Sequence, residues 1–262
     1  MLELYHTVNS VCAQKIRIQF EEKALDWKSH LMTLRGDQFE EAYLKLNPNA
    51  VVPTLIHDGQ PVIESSVILY YIEECFSETR LMPEDPRARA TVRMYNKLID
   101  EYVHNACTVL TFAVALRSRF QKMNPDEVES YLTKSPNRKR SDHKRDVIDH
   151  GFDSKFCVEA AEHFVKLLKW IERSTQEHDY LAGDEYSLAD IAVIPYVIRL
   201  DMLRLSPMWQ SYRGVSAWYE RVRNRPTVRR AIVESMTPAD RALFDEIAFD
   251  PWPTLSGILK KI

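Results

Sequence analysis

Residues 51 to 74, VVPTLIHDGQPVIESSVILYYIEE, constrain the fold more than any other stretch. Two apolar runs, Thr54-Leu55-Ile56 and Pro61-Val62-Ile63, flank His57-Asp58-Gly59-Gln60, and Asp-Gly between such runs is a strong signal for a tight hairpin. Ser65 or Ser66 then stands where a hydroxyl can cap the helix predicted over VILYYIEECF, by accepting from its unpaired amides. A hairpin that runs straight into a helix needs further strands beside it. LELY near the start supplies one, and Val11 to Lys23, with apolar Val11, Ile16, Ile18 and Phe20 among charges, suits a helix covering a sheet. Trp27 to Thr33 reads as a second strand. RGDQFEEAYLKL has helical spacing at Phe39, Tyr43 and Leu46 and stops at Asn47-Pro48, where proline ends a helix.

The order βαβ, α, ββα predicts an α/β thioredoxin-like N-terminal domain over residues 1–76. A dinucleotide-binding unit is disfavoured because the chain has no GxGxxG. Polar, proline-bearing residues 77–87 form a linker, and the rest, 88–262, reads as an all-α helical-bundle domain. Its helices are predicted at Ala88 to Arg119, Phe152 to Ile171, Leu188 to Leu203, Val215 to Asn224 and Pro226 to Glu234. Residues 119–150 form a basic insertion and 237–262 a C-terminal extension. Ser187 and Asp190 have capping-box spacing, a signal for folding and not for chemistry.

Composition removes several classes of function. Cys12, Cys75, Cys107 and Cys157 are far apart, with no CxxC and no Cys/His cluster, so neither a metal site nor a disulfide framework is expected. The first residues lack a basic and apolar leader, and no run of about 18 apolar residues occurs, so no membrane span is expected. Cytoplasmic location follows as the expectation. A net charge of -3 gives no general attraction to nucleic acid or anionic membrane. KSPNRKRSDHKR, residues 134–145, carries six Lys/Arg in twelve positions, and a charge run of this kind usually forms a solvated connection.

Three places offer chemistry. Val52 precedes Pro53 and is held extended, so its amide and carbonyl are available at a sheet edge, where a peptide-like ligand adds as an extra strand; a proline that merely ends a loop fits equally well. Glu64-Ser65 opens a helix whose free amides suit a carboxylate. Ser10 precedes the first helix, where a hydroxyl can donate to a sulfur anion, although an ordinary N-cap is the commoner role.

The segments SVCAQKIRI, RGDQF, LNPNAVVPTL, DGQPVIESSVILYYIEE and YLAGDEYSLADIAVIP, in this order and spacing, resemble the cytosolic glutathione transferases. The likeness is greatest to the zeta class and the related bacterial tetrachlorohydroquinone dehalogenases. The resemblance implies glutathione as cosubstrate, and the cysteine spacing already argues for no metal. It implies that Ser10 stabilises the glutathione thiolate, that Gln38 contacts the tripeptide, and that Val52, before a cis Pro53, pairs with the cysteinyl backbone. Glu64 and Ser65 would hold the γ-glutamyl end, and Asp190 would cap a helix. A homodimer is also implied. The sequence departs from the pattern at Ala50 and Val51, where glycine and a polar residue are usual, with Arg35 as a substitute contact. Cys12, spaced Ser-x-Cys, matches a thiol that in this branch resolves a glutathione adduct or assists isomerisation; its other reading is a packed, buried residue. Tyr95, Tyr102, His104, Asn105 and Phe112 lie on the first long helix and read as core before pocket, and Asp100 would reach the neighbouring subunit's glutathione amine.

The function expected is attack of the glutathione thiolate on an electrophilic, apolar or aromatic small molecule. Alternatives are glutathione-dependent reductive dehalogenation, β-aryl ether cleavage or cis-trans isomerisation. A non-catalytic interaction module with the same fold is a further alternative, which the combination of Ser10, Val52-Pro53 and Glu64-Ser65 disfavours.

Overall fold

The computed structural model describes residues 1–261. Strand β1 (Leu2–His6) leads into helix α1 (Val11–Glu22) and returns as β2 (Trp27–Leu31); a short helix α2 (Glu41–Leu44) then precedes the hairpin β3 (Thr54–His57) and β4 (Gln60–Ile63) and helix α3 (Ser65–Cys75). The sheet order is β2-β1-β3-β4, with β1 parallel to β2 and antiparallel to β3, and β3 antiparallel to β4. Asp58 and Gly59, at φ 49° and 81°, make the tight turn the dipeptide predicts. Leu4, Ile16, Ile18, Leu55, Ile68, Leu69 and Ile72 show no exposed surface and seal α1 and α3 onto the sheet.

The second half is helical. Residues 86–120 run as one interrupted rod: α4 (Pro86–Leu98), a π-helical stretch Ile99–Val103, α5 (His104–Thr111), a second π stretch Phe112–Leu116 and α6 (Arg117–Phe120). There follow α7 (Pro125–Lys134), α8 (Arg138–His150), α9 (Lys155–Ser174), α10 (Leu188–Met202), α11 (Arg213–Arg223), α12 (Pro226–Val228), α13 (Pro238–Asp245) and α14 (Trp252–Leu259). Helix α10 is buried from Leu188 to Leu200 and lies in the middle of the bundle, as its predominantly apolar sequence requires.

The basic run does not form the solvated connection expected of it. Most of it is α8, capped by Asn137, whose side chain accepts from the Arg140 amide. Ser141, His143, Val147 and Ile148 form a buried face, and Arg138 and Lys139 are exposed. The charges mask a helical apolar period that begins only at Ser141.

The halves are clamped together by a buried and a partly buried arginine. Arg17 of α1 donates through Nε and Nη2 to the Ala231 carbonyl, at 3.0 and 2.8 Å, and to the carbonyls of Thr7 and Val8. Arg225 pairs in bidentate fashion with Glu22 at 2.9 and 3.0 Å.

Candidate functional site

Strand register brings the three candidate places together. Tyr5 of β1 pairs with Thr54 of β3, and Thr54 with Ile63 of β4. The chain leaving β1 towards Ser10, the chain entering β3 through Val52-Pro53 and the turn leaving β4 at Glu64 therefore emerge at one end of the sheet.

Ser10 is the N-cap of α1, and its Oγ accepts from the Ala13 amide at 3.2 Å. That contact uses a lone pair and leaves the hydroxyl proton available as a donor. The preceding loop is held from the helical half: the Asn9 carbonyl accepts from buried Arg199 of α10, and Asn9 Nδ2 donates at 3.1 Å to the Asp240 carbonyl of α13. Arg199 also lies 5.0 Å from the Phe244 ring centroid, so the C-terminal extension covers the loop that carries Ser10.

The Val52-Pro53 peptide is cis. The carbonyl of Val51 next to it accepts from Tyr43 Oη at 2.6 Å and Asn47 Nδ2 at 2.9 Å, and both donors also reach Thr54 Oγ1. Ala50 adopts φ 52° where a glycine is more usual, so the loop keeps a left-handed turn without glycine. Arg35 is exposed and its side chain takes no partner among the described residues.

At α3 the expectation of a serine cap is overturned. Glu64 is the N-cap, at φ 69°, with no side-chain cap bond, and Ser65 and Ser66 are the first two helical residues. The strained backbone of Glu64 turns the chain sharply and leaves the first amides of α3 without a capping side chain. Asn49 Nδ2 holds Glu64 Oε1 at 2.9 Å. Gln38 is buried in a 3₁₀ turn, and its Oε1 accepts from the Gly36 amide at 3.0 Å, so one half of its carboxamide serves the loop itself. Beside that turn, an open groove of about 530 Å³ is lined by Phe39, Leu44, Pro48, Lys134 and Pro136, where the corner between α7 and α8 approaches the first half.

Cys12 lies in the first turn of α1, where it faces the helical half. Its Sγ is 3.4 Å from His104 Nδ1 and 3.6 Å from Tyr196 Oη, which are themselves 3.2 Å apart. Burial pushes the thiol up, but the charge and hydrogen bond of His104, the nearby Lys15 ammonium and the Tyr196 hydroxyl outweigh it and bring the thiol down to about 6. Burial pushes Cys107 up to about 11, against the pull of Arg199 and Thr111, and Cys157 up to about 12. His104 thus packs against a thiol and not within an inert core, and Tyr196 was invisible in a helix buried all round. The π stretch just before His104 changes the helical phase, which a 3.6-residue reading does not anticipate. Iodoacetamide alkylation of Cys12, followed residue by residue by mass spectrometry, is expected to titrate near pH 6, with the midpoint moving up in His104→Phe. A wild-type midpoint above about pH 8 contradicts the pairing.

The remaining aromatic candidates pack against neighbours of the helical half. Tyr95 is buried with its hydroxyl on Ser174 and its ring edge-on to Trp170, and Tyr102 packs on His163 beneath Lys166. Asn105 bonds His143 of α8 at 2.9 Å, and Phe112 sits under Lys144. Asp100 accepts from Ser66 Oγ of its own chain at 2.6 Å. Asp190 closes the expected capping box and is buried. Among the described residues no group of His, Cys, Asp and Glu has metal-ligand geometry.

Comparison with known proteins identifies the family of the chain. The model of the glutathione S-transferase N-terminal domain matches residues 9–75, and that of the glutathione S-transferase C-terminal domain matches residues 148–226. Protein LigF of Sphingobium sp. (strain NBRC 103272 / SYK-6) is 30% identical over 82% of this chain and 86% of its own. Glutathione S-transferase TCHQD of Arabidopsis thaliana is 26% identical over 88% and 89%, and maleylacetoacetate isomerase of Mus musculus 29% over 78% and 81%. The crystal structure of β-etherase LigF from Sphingobium sp. strain SYK-6 superposes with a TM-score of 0.79 at 27% identity, covering 89% of this chain and 99% of that one.

Proposed function

The chain belongs to the glutathione S-transferase family, and from that premise we propose that Ser10 donates its hydroxyl proton to the sulfur of bound glutathione and keeps it a thiolate for attack on an electrophilic carbon of an apolar or aromatic molecule. The observation that carries this reading is the convergence of Ser10, Val52 with cis Pro53, and Glu64-Ser65 at one end of the sheet. An extended tripeptide laid along that end would pair its cysteinyl backbone with Val52 and place its γ-glutamyl carboxylate on the open N-terminus of α3, with Gln38 at its other side. Binding holds the thiolate beside the second substrate, and the rate gain comes from that positioning and from the lowered proton affinity of the sulfur.

Among electrophiles we favour β-aryl ethers, in which the thiolate bonds to the ether carbon and an aryl oxide leaves with the bond's electron pair. Similarity to the LigF β-etherase over nearly its whole length supports this choice. Cys12 is proposed as a second sulfur, its thiolate held by His104 and Tyr196. We also propose a cytoplasmic homodimer joined through the outer faces of α3 and α4, where Val67 and Met94 are half exposed.

Incubation with glutathione and, in turn, an aryl halide, a β-aryl ether, a halogenated hydroquinone and a maleyl acid tests these assignments. The expected result is a thioether and free phenol in equal amounts from the ether, with light scattering giving the mass of two chains. Absence of any product, together with no calorimetric binding of glutathione at millimolar concentration, removes the catalytic reading and leaves an interaction module.

A further inference from the structure

Lys15 has no exposed surface, although it is a lysine in the middle of α1. Its Nζ donates to Ser65 Oγ at 3.3 Å, stands 3.8 Å from Asp100 Oδ1 and lies 5.4 Å from the centroid of the Tyr196 ring. Burying an ammonium is costly unless its charge is met. The carboxylate compensation is weak, because the Asp100 side chain is 47% exposed and its other oxygen is engaged by Ser66, and the remaining counter-charge is the Cys12 thiolate that the ammonium favours. The hydrogen bond to Ser65 directs part of the ammonium's positive potential to that hydroxyl.

Ser65 is the first residue of α3, in the turn whose amides have no side-chain cap. Because its oxygen accepts from Lys15, its own proton is free for another acceptor. A buried ammonium, a hydroxyl oriented by it and uncapped amides all favour an anion at the same point.

We propose that Lys15 is a specificity-determining residue that selects for the α-carboxylate of the γ-glutamyl group by orienting and polarising Ser65 beneath it. The inference rests on the placement of glutathione's γ-glutamyl end at Glu64-Ser65. The ammonium acts through Ser65 and is shielded from solvent, so its effect should persist in salt that would screen a surface lysine.

The test compares two peptides by calorimetry on the intact protein: glutathione and 4-aminobutanoyl-cysteinylglycine, which differ only in that carboxylate. Wild type is expected to prefer glutathione, and Lys15→Met to reduce the preference about tenfold or more, with affinity for the decarboxylated peptide nearly unchanged. Asp100→Asn removes the opposing charge from an exposed position and is expected to raise the preference. Equal loss of both peptides in Lys15→Met assigns the residue a structural role and overturns the proposal, as does an unchanged preference. If Lys15→Met does not fold, Asp100→Asn decides alone: a raised preference supports the proposal, and an unchanged or lowered one overturns it. A wild type that binds both peptides equally removes only the role of Lys15, whereas one that binds neither removes the glutathione site with it.

Discussion

Ser10→Ala is expected to lower kcat/KM with an aryl halide about ten- to a hundredfold, the loss associated with a hydrogen bond to a charged group. The thiol of bound glutathione should move up towards the ordinary thiol value of about 8.5 in the same variant. The size of the effect follows from the two roles the hydroxyl holds at once. Its lone pair caps α1 through the Ala13 amide, and its proton is the one proposed to reach the sulfur. Alanine abolishes both, with a capping loss of about 1 kcal/mol in stability. Ser10→Asp separates them: a carboxylate still caps the helix but repels a thiolate, so stability should hold while activity falls further. The spectroscopic titration of bound glutathione is the decisive measurement. Unchanged turnover and an unchanged thiol titration in Ser10→Ala would move thiolate stabilisation to another group.

Asp190→Ala should cost roughly 4 kcal/mol of folding stability, a large share of the 5–15 kcal/mol available to a protein of ordinary stability. The Asp190 carboxylate accepts from the amides of Leu181 and Ser187 at 3.1 and 3.0 Å, from Ser187 Oγ at 3.1 Å and from Trp218 Nε1 at 2.7 Å. Alanine leaves two amides and an indole N–H buried without acceptors and also removes the capping box of α10. Urea unfolding measures the loss, and a change below about 1 kcal/mol contradicts the account. Burial pushes the carboxyl from its ordinary 3.8 to about 6, against the pull of its four donors. The folded state therefore holds this proton more tightly than the unfolded state. The contribution of Asp190 is greatest below pH 3.8, declines as pH rises through 6 and is level above that, a span of about 3 kcal/mol. Relative to Asp190→Asn, wild type should lose stability between pH 4 and pH 7, and a difference that stays flat over that range rules out the raised carboxyl.

Much of the first half could be read because local signals agree there with the global fold. Asp58-Gly59 demands a tight turn, Asn47-Pro48 ends a helix, and the alternation of short apolar runs with an amphipathic helix leaves few topologies. Register then places Ser10, Val52-Pro53 and Glu64-Ser65 together without further information. The pairing of Cys12 with His104 and Tyr196 was hidden for a different reason. The three residues are separated by 92 and 184 positions, and the helix that presents His104 changes phase at a π stretch. Tyr196 sits in a helix buried nearly all round, so no amphipathic pattern marks its polar end. The capping of α3 was misread because Ser65-Ser66 carries the usual composition of a cap, while the turn's backbone strain falls on Glu64. Helix α8 was obscured because its surface charges dominate its composition, and only four buried positions reveal the inner face.

Arg17 sets a limit on how such chains recombine. Its guanidinium, planted in the first helix, depends on the Ala231 carbonyl more than two hundred residues away. A first half transplanted onto another bundle would carry this cation with it and bury it against whatever lies opposite. Exchange of halves between relatives therefore preserves the fold only where the incoming bundle offers a main-chain oxygen at the same place.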